Sequence, residues 1–138
     1  MLLKIFIDGA CKNNGQDNAQ AGWGIVVYDD QNRIIHQDSG KVQGKQTNNR
    51  AELTALLEAV KVIRNQKPEK AGIVSDSSIL VDGVTGKAKR KANRDIWEQI
   101  EAIFVELRGV VDIHVMHVDR EENKEADELA SQAANSLI

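Results

Sequence analysis

Four carboxylates stand out by where they fall. Asp8 follows the short apolar run from Leu2 to Ile7, and Asp76 follows a second such run from Ala71 to Ser75. Each reads as an acid closing a strand, and ligands gather beyond strand carboxyl ends in mixed and parallel sheets. Glu52 and Asp127 fall on helical patterns. With Glu52 at 0° and 100° per residue, Leu53, Leu56, Leu57, Val60 and Ile63 lie between about 20° and 140°, so Glu52 borders the buried arc. Glu58, near about 240°, faces solvent. With Ala126 at 0°, Leu129, Ala130 and Ala133 lie within about 60°, Asp127 sits beside that stripe at about 100°, and Glu128 faces away. Taken singly, Asp8 and Asp76 are ordinary caps, and Glu52 and Asp127 are first-turn acids complementing a helix dipole. Taken together they suggest one site. If they converge, their repulsion is severe unless divalent cations neutralise it. Oxygen-only ligands select a hard ion, Mg²⁺ or Mn²⁺ rather than zinc. Such a cluster is what two-metal phosphodiester chemistry requires.

The elements that must position these acids are legible from periodicity. Leu2 to Ile7 reads as a strand ending at Asp8, and residues 9–21, rich in Asn and Gly, as a loop. Gly22 to Tyr28 is a second strand, residues 29–32 a turn, and Arg33 to Gly40 a third strand, giving an antiparallel meander. Arg50 to Arg64 carries apolar residues at helical spacing, with Thr47-Asn48-Asn49 as capping groups and Lys67-Pro68 as its end. Ala71 to Ser75 is a short buried strand, and Ser77 to about Thr85 a short helix closed near Gly86. Ile96, Trp97, Ile100, Ile103, Phe104 and Leu107 mark another helix, with Gly109 past its end. Val110 to Val118 is a fifth strand and Asn123 to Leu137 a final amphipathic helix. The expected fold is α/β: a mixed five-stranded sheet, antiparallel in its first three strands and parallel in the fourth and fifth, flanked by helices.

Composition narrows the class. The 138 residues are 41% hydrophobic and 28% charged, an ordinary globular mix. They suit one domain spanning 1–138, with no internal repeat or linker. A lone cysteine, Cys11, rules out an internal disulfide and a cysteine-based zinc cage. No run approaches a membrane span, and the start lacks signal-peptide features, so a cytoplasmic, membrane-free protein is expected. Net charge is −3, from 18 basic and 21 acidic residues, which excludes bulk electrostatic binding of nucleic acid. The charge is uneven, however. Lys87, Lys89, Arg90, Lys91 and Arg94 crowd together, as do Asp119, Glu121, Glu122, Glu125, Asp127 and Glu128.

The motifs holding these acids are Ile7-Asp8-Gly9-Ala10-Cys11-Lys12-Asn13-Asn14-Gly15, Thr47-Asn48-Asn49-Arg50-Ala51-Glu52-Leu53, Ser75-Asp76-Ser77, and His117 followed by Asn123-Lys124-Glu125-Ala126-Asp127-Glu128-Leu129-Ala130. In that order they resemble type 1 ribonuclease H, from about residue 3 to residue 134. The resemblance implies an endoribonuclease that cuts the RNA strand of an RNA/DNA hybrid with two Mg²⁺ ions, Mn²⁺ substituting. It implies Asp8, Glu52, Asp76 and Asp127 as metal ligands. Asp8 would bridge both ions, Asp127 would help hold the one activating water, and Glu52 and Asp76 the one facing the leaving 3′ oxygen. The products would carry 5′-phosphate and 3′-hydroxyl ends. It also implies a catalytic role for His117, in proton movement or product release, as suits imidazole near neutral pH.

Gly9, Cys11, Asn14, Asn48 and Asn49 match family positions beside the hybrid, where small polar groups and exposed backbone read a 2′-hydroxyl. Asn48 and Asn49 also read as helix caps, and Cys11 as a small semi-buried apolar residue. Two departures from the family pattern are visible. The stretch between Asp76 and Asp127 is short, leaving Lys87–Arg94 as either a reduced grip on the DNA backbone or a solvated loop. The 9–21 loop carries Lys12-Asn13-Asn14-Gly15-Gln16-Asp17 where a Gly/Pro-rich segment is more usual. The alternatives are a catalytically weak or inactive nucleic-acid-binding module of the same fold, and a different nuclease of that fold. A monomer is expected.

Overall fold

The computed structural model describes residues 1–87 and 89–136. The strands are β1 (Leu2–Lys12), β2 (Gln20–Tyr28), β3 (Ile34–Lys41), β4 (Lys70–Ser75) and β5 (Asp112–His117). The helices are α1 (Asn48–Gln66), α2 (Ser78–Thr85), α3 (Arg94–Leu107) and α4 (Lys124–Asn135), with a single 3-10 turn at Arg120–Glu122. The sheet order is β3-β2-β1-β4-β5. The β1–β2 and β2–β3 pairs are antiparallel, and β1–β4 and β4–β5 parallel. The mixed five-stranded sheet read from the sequence is therefore the observed one.

The main correction concerns β1, which does not end at Asp8. It runs on to Lys12, paired with β2 through Ala10↔Gly22 and Lys12↔Gln20. Backbone pairing needs no apolar alternation, so Gly9 to Lys12 continue the strand although their side chains carry no period. The true loop is residues 13–19, with Asn13 and Gly15 at positive φ. On its other side β1 stops pairing with β4 at Phe6↔Val74. Asp8 thus lies at the end of the parallel ladder, not of the strand. β5 is shorter than the expected Val110–Val118. α1 starts two residues earlier than expected, with the Thr47 hydroxyl accepting from Arg50 N at 3.1 Å. Leu137, the expected end of α4, lies outside the described residues.

The two sheet faces are filled differently. Leu3, Ile5 and Ile7 face α1 and α3, whose Leu56, Val60, Ile63, Ile100 and Leu107 complete the main core. On the opposite face α4 packs on β1 and β2 through Ala126, Ala130, Ala133 and Ala134. A Cβ on Gly24 would lie 2.7 Å from Ala126 O and 2.8 Å from Ala130 N, so the helix backbone rests on the glycine. Among the described residues no helix is long and apolar enough to cross a membrane.

Candidate active site

The parallel register brings the first two acids together. Phe6 and Val74 are partners, so two residues farther along, on the same face, come Asp8 and Asp76 from adjacent strands. Glu52 arrives from α1 in the gap that opens where β4 leaves β1. One oxygen each of Asp8, Glu52 and Asp76 lies within 4.8 Å of the others. Asp127 joins from α4 by a side-chain hydrogen bond to Asp8. All four acids thus meet around Asp8, which is only 4% exposed.

Close packing enforces this meeting. A side chain on Gly9 would collide with the α1 backbone at Ala51 and Glu52, so the glycine's role visible here is to let α1 sit against β1. Asn123 is fully buried, and its Nδ2 donates to Ile7 O at 2.7 Å while its own carbonyl accepts from Asp127 N. One residue therefore ties the start of α4 to the strand position beside Asp8. Ser77 Oγ accepts from Leu80 N at 3.2 Å, capping α2, and its hydroxyl donates to Glu52.

The electrostatics are those of a crowded anionic pocket. Burial, then Asp76, Asp127 and Glu52, push the Asp8 carboxyl up to about 9, against a donated bond from Gly9 N. Burial pushes Glu52 up to about 7, with Asp76 adding to the rise, while Ser77 and Arg120 oppose it. The set is oxygen-only and mutually repelling, which fits hard divalent cations. Glu52 lies beyond the first turn of α1, which contains no acid. That removes the helix-dipole reading for Glu52. Asp127 does sit in the first turn of α4.

The other predicted positions border this pocket unevenly. Asn48 and Asn49 line it with Asp8, Gly9, Glu52, Asp76, Ser77 and Arg120. Asn14 Oδ1 accepts from Asn48 N at 3.2 Å, fastening the 13–19 loop to α1. Thr47, not Asn48 or Asn49, caps α1. Cys11 is half-buried, its thiol 3.5 Å from Gln46 O. His117 stands exposed at the end of β5 opposite Ser75, one residue before Asp76 in register, outside the pocket lining. In the basic stretch, Arg90 donates to Gly83 O at 3.0 Å, pairs with Glu101 at 2.6 Å and stacks 4.0 Å over Trp97.

Comparison with known proteins decides the family. The RNase H family profile matches residues 2–135. This chain belongs to the RNase H family. Among its relatives is a ribonuclease H of Chlorobium luteolum, 32% identical, covering 95% of this chain and 94% of that one. Another, from Dichelobacter nodosus, is 31% identical and covers 99% and 94%. Among solved structures, LC11-RNase H1 in complex with an RNA/DNA hybrid aligns at TM-score 0.83 and 27% identity, over 96% of each chain. The N-terminal RNase H domain of a Mycobacterium tuberculosis protein aligns at 0.84 and 26%, over 97% and 94%. The chain is a type 1 RNase H and an enzyme, as the motifs implied.

Sequence reasoning missed three residues of this RNase H site. Among the described residues lining the acid pocket Arg120 is the one cation, in a stretch without periodicity. Asn123 opens the N-x-x-A-D-E-L-A motif, which was its available signal, but its bond to β1 crosses the whole chain. Gln46 stitches the start of β2 to the segment before α1, accepting from Ala21 N at 2.8 Å and donating to Val42 O at 2.7 Å.

Proposed function

We propose that this RNase H hydrolyses the RNA strand of RNA/DNA hybrids with two Mg²⁺ ions, Mn²⁺ substituting, and leaves 5′-phosphate and 3′-hydroxyl ends. The observation that carries the reading is the meeting of Asp8, Glu52 and Asp76 within 4.8 Å, beside the exposed Asn48 and Asn49. The hybrid held by LC11-RNase H1 supports the substrate.

In this reading Asp8, Glu52, Asp76 and Asp127 would together hold the ions, with Asp8 central, Asp127 on the side of the attacking water, and Glu52 and Asp76 on the side of the leaving oxygen. Bound there, the cations supply charge compensation for the attacking and leaving oxygens. The chain supplies the rest. Gly9 and Asn123 fix where the acids stand, Ser77 orients Glu52, and Asn48 and Asn49 present amides to the sugar edge of the hybrid. Asn14 and Cys11 shape the neighbouring wall. His117, exposed at the end of β5, moves a proton or assists product departure.

The test is one labelled hybrid, with duplex RNA and duplex DNA as controls, in Mg²⁺ and in Mn²⁺. Cleavage confined to the RNA strand of the hybrid, with 5′-phosphorylated products, is expected. Hybrid binding without cleavage under either ion would instead make the chain a binding module of this fold.

A further inference from the structure

Arg50 stands outside the acid cluster, yet it is among the most completely bonded side chains in the molecule. Its side chain is 11% exposed. Nε donates to Gln43 O at 2.7 Å. One terminal nitrogen donates to Asn93 Oδ1 at 3.2 Å and to Asp95 Oδ1 at 3.0 Å, and the other to Asp95 Oδ2 at 2.6 Å. Gly44, at φ +83°, leaves the guanidinium room, since a Cβ there would lie 3.0 Å from it. A planar fork bound to both carboxylate oxygens fixes orientation as well as distance, which an ammonium group does not.

Three separate segments meet on this one side chain: the connection after β3, the first turn of α1, and the start of α3. Asn93 sits in the left-handed region at φ 61°; its backbone carbonyl accepts from Ile96 N and Trp97 N, but its side chain makes no cap bond to α3 and its side-chain oxygen accepts from Arg50 instead. The place where α3 begins is thus set from α1. These segments also line a groove of about 820 Å³, together with the 13–19 loop: Asn48 and Asn49 come from α1, and Ala92 and Asn93 from the stretch before α3. Asn48 and Asn49 belong to the acid pocket too, so the groove runs directly into it.

We propose that Arg50 is a positioning residue that fixes the width of this groove, and so governs how tightly nucleic acid is held rather than how fast it is cut. That the occupant is a hybrid rests on the function proposed above. Breaking a purely structural ion pair would lower stability and leave binding unchanged; breaking a width-setting clamp moves KM.

The experiment measures steady-state cleavage of one hybrid by Asp95→Ala, Arg50→Lys and the double variant. Asp95 is largely exposed, so its variant is expected to fold. Equilibrium binding of the same hybrid is followed by fluorescence anisotropy in Ca²⁺. Asp95→Ala and Arg50→Lys should each raise KM and Kd about five- to tenfold with kcat within about twofold, and the double variant should be no worse than the weaker single. Unchanged KM and Kd, whatever happens to Tm, overturn the proposal, as does a fall in kcat with KM unmoved. If the wild type binds hybrid without cutting it and the variants still lose affinity, the catalytic reading fails and the groove assignment stands. If no protein binds hybrid at all, both fail.

Discussion

The two faces of the sheet are built for different purposes. Toward α1 and α3 the core is thick, filled by Leu3, Ile5, Ile7, Leu56, Ile63, Ile100 and Leu107. Each such side chain contributes about 1.5–3 kcal/mol on burial. Toward α4 the layer is thin, with Gly24 and Gly22 lying under the backbone of a helix that buries four alanines. Alanine on glycine removes little apolar area from water, but it lets backbones approach closely. That closeness is what allows Asp127 to reach Asp8. Most of the buried apolar bulk therefore sits on the α1 face, while the reach of Asp127 depends on the α4 face, and the two are separable by mutation.

The largest effect belongs to the acid shared by all the others. Asp8→Asn should reduce cleavage by ~10³-fold or more, because the cations would lose the carboxylate at the centre of the set. Stability should move the other way. A folded-state carboxyl raised from 3.8 to about 9 holds a proton that the unfolded chain releases. Metal-free wild type therefore loses stability as pH rises from about 4 to about 9, with the full loss present above that window. Asparagine carries no such proton. In EDTA the variant should melt above wild type by about 5 °C at pH 9 and by less at pH 5. Melting curves at three pH values decide it; a variant less stable than wild type throughout would sink the account of the pocket.

A matched pair then probes the two faces. Gly24→Ala drives a methyl to 2.7 Å from Ala126 O and 2.8 Å from Ala130 N, so α4 must shift and carry Asp127 with it. A kcat lower by about 10- to 100-fold is expected, with only modest loss of stability. Ile100→Ala opens a hole in the thick core and should cost about 2–5 kcal/mol in chemical denaturation. The fraction that stays folded at 25 °C should cut hybrid at a rate within about twofold of wild type. Equal losses of kcat in the two variants would erase the distinction between the faces.

Much of this arrangement was legible before any coordinates. Periodicity located α1, α3 and α4, because each buries one stripe, and the acids bordering the α1 and α4 stripes are among those that meet at Asp8; the 3-10 turn at Arg120–Glu122 carried no such signal. What escaped was what periodicity does not encode. Residues 9–12 continue β1 through backbone pairing alone. Arg120 lies in a run of charges without a repeat. The bonds from Asn123 to Ile7 and from Arg50 to Asp95 join residues far apart in the chain, and neither partner announces the other. Gly9 drew notice as a possible contact with substrate, whereas its visible work is to admit α1. The residues that carry charge were easier to find than those that hold them still.

The smallest expected effect sharpens the comparison at the seam between the faces. Ser77 gives its hydroxyl proton to Glu52 and accepts from Leu80 N, serving the acid pocket and the α2 cap at once. Ser77→Ala removes both bonds. Loss of the cap should cost about 1 kcal/mol. Loss of the donor lets the Glu52 carboxyl rise further above about 7, so at pH 7 more of it is protonated and unable to hold a cation. The Mg²⁺ concentration for half-maximal cleavage should rise a few-fold at pH 7, and the difference should fade by pH 9, where Glu52 is ionised in both proteins. Ser77→Thr keeps the hydroxyl and should behave as wild type in both respects. A Mg²⁺ requirement shifted equally at pH 7 and pH 9 would mean that Ser77 acts only through the packing of α2, and the link between helix cap and carboxylate would be lost.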